Sequence, residues 1–192
     1  SEQLSIGSDA ADLRQWLIVR GVLAPNEPIG LRGSVWSRSF PADLEAEAKH
    51  LVAMANEDLP GDEQRIDLSH LATYSLDDAG TREIDDALSL ERRDGSDWIW
   101  IHIADPSRLI SLDSPLDQEA RRRATSLYLA EGVMPMLPLE LAAGPLSLRA
   151  RQRCAALSVA VRLDDDGAVG EQQIVRSWIR PRYGLTYTDG DE

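Results

Sequence analysis

Apolar residues recur at helical spacing twice in the first third of the chain. Leu13, Trp16 and Leu17 share one side of a helix that Ser8-Asp9 can cap and Gly21 can stop, which predicts a helix ending near Arg20. Leu44, Ala48, Leu51 and Val52 form the stripe of a second, from about Pro41 to Asn56, with Asp43, Glu45 and Glu47 near its favourable N-terminal end. Pro25, Pro28, Gly30 and Gly33 mark a connector between the two. After residue 70 the period shortens. Leu71 to Leu76 is strand-like and closes on Asp77, and Ala87 to Glu91 and Trp98 to Ala104 flank Asp94-Gly95, a hairpin signal. In the second of these strands Trp98, Trp100 and His102 share one face and Ile99, Ile101 and Ile103 the other, so the aromatics read as sheet packing before they read as a base-stacking platform. Asp117 to Leu129 reads as a helix with Ala120, Ala124, Leu127 and Tyr128 broadly on one side, broken by the Gly132 to Pro138 segment. Ala155 to Leu163 and Val169 to Ile179 form another hairpin candidate around Asp164-Asp165-Asp166-Gly167.

This order of elements predicts an α+β fold: a mixed or antiparallel sheet with packed helices, preceded by a small, mainly helical region. Residues 1–70 would form that helical region and a linker, with Pro60-Gly61 and many charges between Glu57 and Asp67 as the linker signal, and residues 71–192 the sheet-bearing part. A length of 192 residues suits one domain or one domain with an appendage, and 43% hydrophobic residues suffice for a core. No apolar run approaches the roughly 20 residues of a membrane span, and Ser1-Glu2-Gln3-Leu4-Ser5 lacks the basic and apolar regions of a secretory signal. A cytoplasmic monomer without a membrane anchor is the expectation.

Charge and chemistry change this picture in one place. A net charge of −13 argues against a generic basic nucleic-acid-binding module, because phosphate contacts come mainly from Lys and Arg. Lys49 is the one lysine among 20 basic residues, and the arginines cluster late, at Arg121 to Arg123 and at Arg149, Arg151 and Arg153. Such runs suit either bidentate phosphate recognition or a solvated face. The lone Cys154 reads as a quiet buried thiol, and His50, His70 and His102 are too scattered to form a zinc motif with it. The concentrated signal lies between Tyr74 and Leu88, where five acidic residues sit between two apolar runs. Glu83 and Asp85 share a face of an extended backbone while Asp86 points away unless the chain bends, and Ala79-Gly80-Thr81 permits the turn that would bring Asp77 to them. Hard cations take oxygen ligands, and Mg²⁺ uses one or two carboxylates with water and substrate phosphate, so the surplus suits metal-assisted phosphodiester chemistry. A solvated acidic loop is the competing reading; the spacing does not fit a calcium-binding EF-hand loop.

The same stretch carries a family likeness. Leu76-Asp77-Asp78-Ala79-Gly80-Thr81-Arg82-Glu83-Ile84-Asp85-Asp86-Ala87-Leu88 is followed by His102-Ile103-Ala104-Asp105-Pro106, Thr125-Ser126-Leu127-Tyr128-Leu129, Met134-Pro135-Met136-Leu137-Pro138 and Leu146-Ser147-Leu148. In order and spacing this resembles the ribonuclease II and ribonuclease R family, whose catalytic domain is called RNB. The resemblance implies part of a Mg²⁺-dependent, hydrolytic, processive 3′-to-5′ exoribonuclease that degrades single-stranded RNA to nucleoside 5′-monophosphates. It places Asp77, Glu83, Asp85 and Asp86 at the four catalytic, metal-associated acidic positions, with Glu83 where many members have Asp, and Tyr128 at an aromatic that contacts RNA near its 3′ end. Residues 1–70 resemble the helical region preceding RNB in some bacterial and organellar members rather than tandem cold-shock domains. Residues 71–192 match the first part of the domain, so the missing C-terminal part of the same protein is an expected partner and the piece alone is expected to be inactive. The alternative is a truncated, non-catalytic RNB-like module that binds RNA or a protein partner.

Overall fold

Asp9 caps the first helix through its side chain, which accepts from the Asp12 amide at 2.8 Å, and Gly21 ends it at φ +70°. A computed structural model describes residues 9–25, 27–31, 34, 36, 39–129, 132–164 and 166–190. Helix α1 runs Ala10–Val19 and α2 runs Ala42–Met54. The sequence pattern predicts both, while Ser8 and parts of the connector lie outside the described residues.

Among the described residues nine strands follow: β1 Ile66–Asp67, β2 Thr73–Asp77, β3 Asp86–Arg93, β4 Ser96–Ala104, β5 Leu127–Leu129, β6 Gly132–Met134, β7 Cys154–Leu163, β8 Val169–Ile179 and β9 Tyr183–Thr186. Seven of them form one sheet in the order β1-β8-β7-β4-β3-β2-β9. Its centre is antiparallel and its two edges are parallel, β1 on β8 and β9 on β2. The architecture is therefore α+β with a mixed sheet, as the alternation of periods predicts. Asp94 and Gly95 both take positive φ, +51° and +79°, the backbone a two-residue hairpin turn needs.

Helix α3, Pro115–Arg123, is shorter than the sequence pattern suggests. Ala124 enters the left-handed region at φ +64° and ends the helix, so Leu127–Leu129 becomes β5, paired with β6. Tyr128 is accordingly a strand residue, not a helical one. The three arginines at the end of α3 are engaged locally: Arg121 pairs with Asp117, Arg122 and Arg123 with Glu119, and Arg123 is buried over the Phe40 ring at 3.8 Å. The Arg122 hydrogen bond, followed by that of Arg123, pulls Glu119 down to about 2.

One face of the sheet is the core. Trp98, Trp100, Ala156, Ala160 and Ile179 pack there with Leu68, Leu71 and Leu148, so the tryptophans are packing residues and not a stacking platform. A second cluster joins α2, α3 and α4 (Leu139–Ala142) through Leu44, Ala48, Leu116 and Leu141. The charged stretch 57–67 is tied down between them: Asp62 accepts from Arg108 at 2.8 Å, and Arg65 reaches Asp105 at 2.6 Å. Cys154 is buried and its thiol is pushed up to about 11 by burial.

A row of hydroxyls crosses the core face from strand to strand. Thr73 Oγ1 lies 2.8 Å from Ser89 Oγ, Ser89 Oγ 2.8 Å from His102 Nε2, His102 Nδ1 2.7 Å from Ser158 Oγ, and Ser158 Oγ 2.6 Å from Ser177 Oγ. Ser177 donates to the Ala156 carbonyl at 3.3 Å. Each hydroxyl has one proton, so Ser158 donates to Ser177, His102 donates from Nδ1, and Ser89 donates to Nε2. The network thus selects one neutral tautomer of a fully buried imidazole. Thr73↔Ser89 is also one of just two residue pairs that register β2 on β3.

Candidate active site

The acidic cluster forms where β2 and β3 part. β2 ends at Asp77, which pairs with Thr186 of β9, and β3 begins at Asp86, which pairs with Ile103 of β4. Between them the chain turns, with the Thr81 amide donating to the Asp78 carbonyl at 2.9 Å, and then runs extended but outside any ladder through Glu83-Ile84-Asp85. The alternation foreseen for those three residues holds, on a clamped loop instead of a strand. Ile84 turns into the core, so Glu83 and Asp85 face the other way.

Ser147 is the clamp. Its hydroxyl accepts from the Ile84 amide at 3.0 Å and donates to the Arg82 carbonyl at 3.2 Å, while the Leu148 amide donates to the Ile84 carbonyl at 2.8 Å. The Ala104 amide holds the Asp85 carbonyl at 2.8 Å. A loop bearing several like charges has little of its own to hold it in place, and these bonds to the backbone supply the restraint. Residue types do not single out Ser147; its place in Leu146-Ser147-Leu148 is the signal available in the sequence.

Glu83 and Asp85 line a cavity of about 260 Å³ with Thr125, Ser126, Tyr128 and an apolar floor that includes Leu137 and Leu146. Ser126 donates to Glu83 Oε2 at 3.0 Å and accepts from the Met136 amide at 2.9 Å. Ser126 is thus a second residue whose role emerges with the fold. Tyr128 stands at the cavity with 64% of its surface exposed, and burial followed by the charges of Glu83, Asp85 and Asp77 raises its phenol above its usual value. Asp77 and Asp86 do not line this cavity, but the charge of Asp86 reaches Asp77 and Asp85.

Electrostatics joins all four predicted carboxylates. Burial and then the charges of Asp86 and Asp85 raise Asp77; burial and then Asp86 raise Asp85. Glu83 is raised by burial, against the Ser126 hydrogen bond, with Asp85 adding to the rise. Asp85 reaches solvent, so salt screens part of its share. Elsewhere buried acids are answered by arginines: burial would raise Asp105, but Ser107 and Arg65 overcome it and hold it low. Among the described residues Asp77, Asp85 and Asp86 have no side-chain hydrogen bond or ion pair, and Asp77 Oδ2 is a buried acceptor without a donor. A buried oxygen of this kind is costly unless something positive completes it. The all-oxygen donor set fits a hard cation such as Mg²⁺, for which one or two carboxylates suffice. Among the described residues no three histidine, cysteine or carboxylate groups form a ready-made metal cage.

No helix among the described residues is long and apolar enough to cross a membrane. In fold, the chain is similar to Mycoplasma genitalium RNase R in complex with double-stranded RNA, at a TM-score of 0.70 and 19% identity over 96% of this chain and 30% of that one. In sequence it is 48% identical over 177 residues to an uncharacterized ribonuclease of Synechocystis sp., covering 92% of this chain and 26% of the relative. It is 47% identical over 130 residues to the chloroplastic/mitochondrial ribonuclease II of Arabidopsis thaliana, covering 67% of this chain and 16% of that protein. The chain therefore spans about a quarter of the first relative's length and less of the second's. The RNB domain model matches residues 65–192. With the acidic segment, the Tyr128 strand and the Ser147 clamp all inside that match, the chain belongs to the RNB-domain family of ribonuclease II and R type proteins.

Proposed function

We propose that this chain forms part of the catalytic centre of a Mg²⁺-dependent hydrolytic exoribonuclease that degrades single-stranded RNA from its 3′ end to nucleoside 5′-monophosphates. The observation that carries this reading is the contrast in charge compensation: Asp62, Asp105 and Glu119 are paired with arginines, whereas Asp77, Asp85 and Asp86 crowd together unpaired with one buried oxygen open. A bound Mg²⁺ would supply positive charge at the scissile phosphate and ease deprotonation of the attacking water. Asp77, Asp85, Asp86 and Glu83 are the residues to hold it. The Ser126 hydrogen bond favours the ionised form of Glu83 and fixes its direction, which suits orienting water as well as ligation. Tyr128 offers an exposed ring beside the carboxylates on which a terminal base can stack without its sequence being read.

A processive enzyme must hold several nucleotides at once, and residues 1–192 alone, with a net charge of −13, are not expected to be processive. The test has two parts. Calorimetric titration of the chain with Mg²⁺ should show binding that Asp85→Asn weakens, and in a longer protein containing this chain the same change should stop mononucleotide release from labelled single-stranded RNA. Unaltered release by the variant would refute the assignment. The second reading, a non-catalytic module that binds RNA or a protein partner, draws on the absence of a ready-made cage among the described residues. RNA binding without any measurable Mg²⁺ site would favour it.

A further inference from the structure

The carboxylate site leaves unexplained a group of positive charges at the opposite end of β2 and β9. Arg151, Arg180 and Arg182 line an open cavity of about 440 Å³ with Ser69, Pro181 and Tyr183, and no acidic residue lines it. Every arginine of α3 has a carboxylate partner, but among the described residues these three have none, and no hydrogen bond or ion pair there engages their side chains. The backbones of Arg151 and Arg182 are nonetheless held. The Arg151 amide donates to the Pro181 carbonyl at 2.7 Å and the Arg182 amide to the Thr73 carbonyl at 2.8 Å, while Pro181 between them is buried. Arg151 takes φ +67°, a conformation that a non-glycine residue keeps when its surroundings hold it there. Three like charges gathered at one cavity, on a chain of net charge −13, repel one another, and an anion at that place would relieve the repulsion. Beside them Tyr183 stacks on Tyr74 with ring centroids 5.2 Å apart and planes 15° from parallel, both rings exposed.

From these features we infer that Arg151, Arg180 and Arg182, with the Tyr74–Tyr183 pair, form a second contact surface for single-stranded RNA: phosphates on the arginines, a base on the tyrosines. Clustered guanidinium groups beside an exposed aromatic pair are what a sequence-tolerant single-strand surface needs. The placement suits one strand reaching both sites. Tyr74 pairs with Tyr183 and Asp77 with Thr186 on the same two strands, so three residues separate the surface from the carboxylates, about 10 Å along the strands. Tyr74 and Asp77 lie on opposite faces of β2, but β9 is the edge of the sheet, and an RNA strand can pass round it. The surface would hold a more distant part of the RNA whose end lies at the carboxylates. This rests on RNA being the substrate, and its test can fail separately from that reading.

The test measures binding of labelled oligouridylate by fluorescence anisotropy across a salt series, in EDTA so that nothing is hydrolysed. The triple variant Arg151→Ala, Arg180→Ala, Arg182→Ala should weaken binding of a long oligomer at least about tenfold at low salt and flatten the slope of log K against log salt by ~2, the value for three phosphate contacts on a single strand. Tyr183→Ala should weaken binding and leave that slope unchanged. Circular dichroism of each variant should match the parent, since the replaced side chains are exposed. Mononucleotide release from oligomers too short to leave the carboxylate cavity should be preserved in the triple variant. An unchanged affinity and slope for the long oligomer would overturn the inference, and so would loss of an acidic protein partner with RNA binding intact. RNA binding that depends on the arginines in a protein that never hydrolyses RNA would leave this surface standing and remove the exoribonuclease reading.

Discussion

Two groups of polar residues lie close together in the sheet, with Asp77 on the same face as the row that begins at Thr73, and they are solved in opposite ways. In the row from Thr73 to Ser177 every hydroxyl and both imidazole nitrogens have a partner within 2.8 Å along the row, and its members are buried and neutral. In the cluster from Asp77 to Asp86 the groups carry like charges, they raise one another, and Asp77 Oδ2 has no donor at all. A complete buried network specifies structure, because a slip of one strand would orphan several groups together. An incomplete one stores unfavourable energy that a ligand can release. Position in the sheet therefore does not separate structural polar residues from functional ones; completeness does.

The contrast is broken most severely by neutralising the cluster. Asp85→Asn should cut RNA hydrolysis by at least about 10³-fold in the longer protein, because several kcal/mol of charge stabilisation are lost, with RNA binding largely spared. In the metal-free chain the same change should raise the melting temperature, since it removes repulsion. Activity loss with a lowered melting temperature would show that Asp85 is structural.

Breaking the hydroxyl row should act on stability. His102→Ala strands the Ser89 and Ser158 hydroxyls around a cavity, with an expected loss of about 3–5 kcal/mol in denaturant unfolding. The pH dependences should run in opposite directions. Burial lowers His102 from 6.5 to about 4, so the unfolded chain binds the proton first and stability falls as pH drops from 6.5 towards 4. Asp77, Glu83 and Asp85 are raised in the folded chain, so their contribution to metal-free stability declines as pH rises through their ordinary values. Added Mg²⁺ should reverse the second trend and leave the first, which thermal melts across pH with and without the ion will show.

Smaller effects sharpen the boundary between the two regions. Ser147→Ala removes two hydrogen bonds to the acidic loop and should cost about 1–3 kcal/mol, visible as faster amide exchange at Ile84 and weaker Mg²⁺ binding. Tyr128→Ala should cost about 1–3 kcal/mol in RNA binding and lengthen the shortest undigested product. Its melting temperature should hardly move, because the side chain is mostly exposed. A lowered melting point with an unchanged product would make Tyr128 a packing residue.

Much of this could be read in the residues. Period-two and period-3.6 patterns place both hairpins, the first two helices and the α+β class, because local backbone preference and burial agree there. Asp77, Glu83, Asp85, Asp86 and Tyr128 are singled out by a motif whose order along the chain is specific, and the fold brings Glu83, Asp85 and Tyr128 to one cavity. The end of α3 is not: Leu127 and Tyr128 continue a helical stripe, and the turn at Ala124 that makes them a strand is decided by their pairing with Val133 and Met134. Ser126 and Ser147 carry no signal by residue type, since a serine becomes a clamp only when a loop about 40 or 60 residues away arrives beside it.

By itself the amino-acid sequence determined which residues bear charge, which faces are apolar and where the chain must turn, because those depend on each side chain and its near neighbours. Which charges are answered was left to the tertiary structure. Arg123 and Arg151 are alike in the sequence, each in a local run of arginines; the fold buries one against Glu119 and leaves the side chain of the other with neither carboxylate nor hydrogen-bond partner among the described residues. Pairing is a property of distance in space, and the long-range ladders that set those distances form only when the whole sheet does.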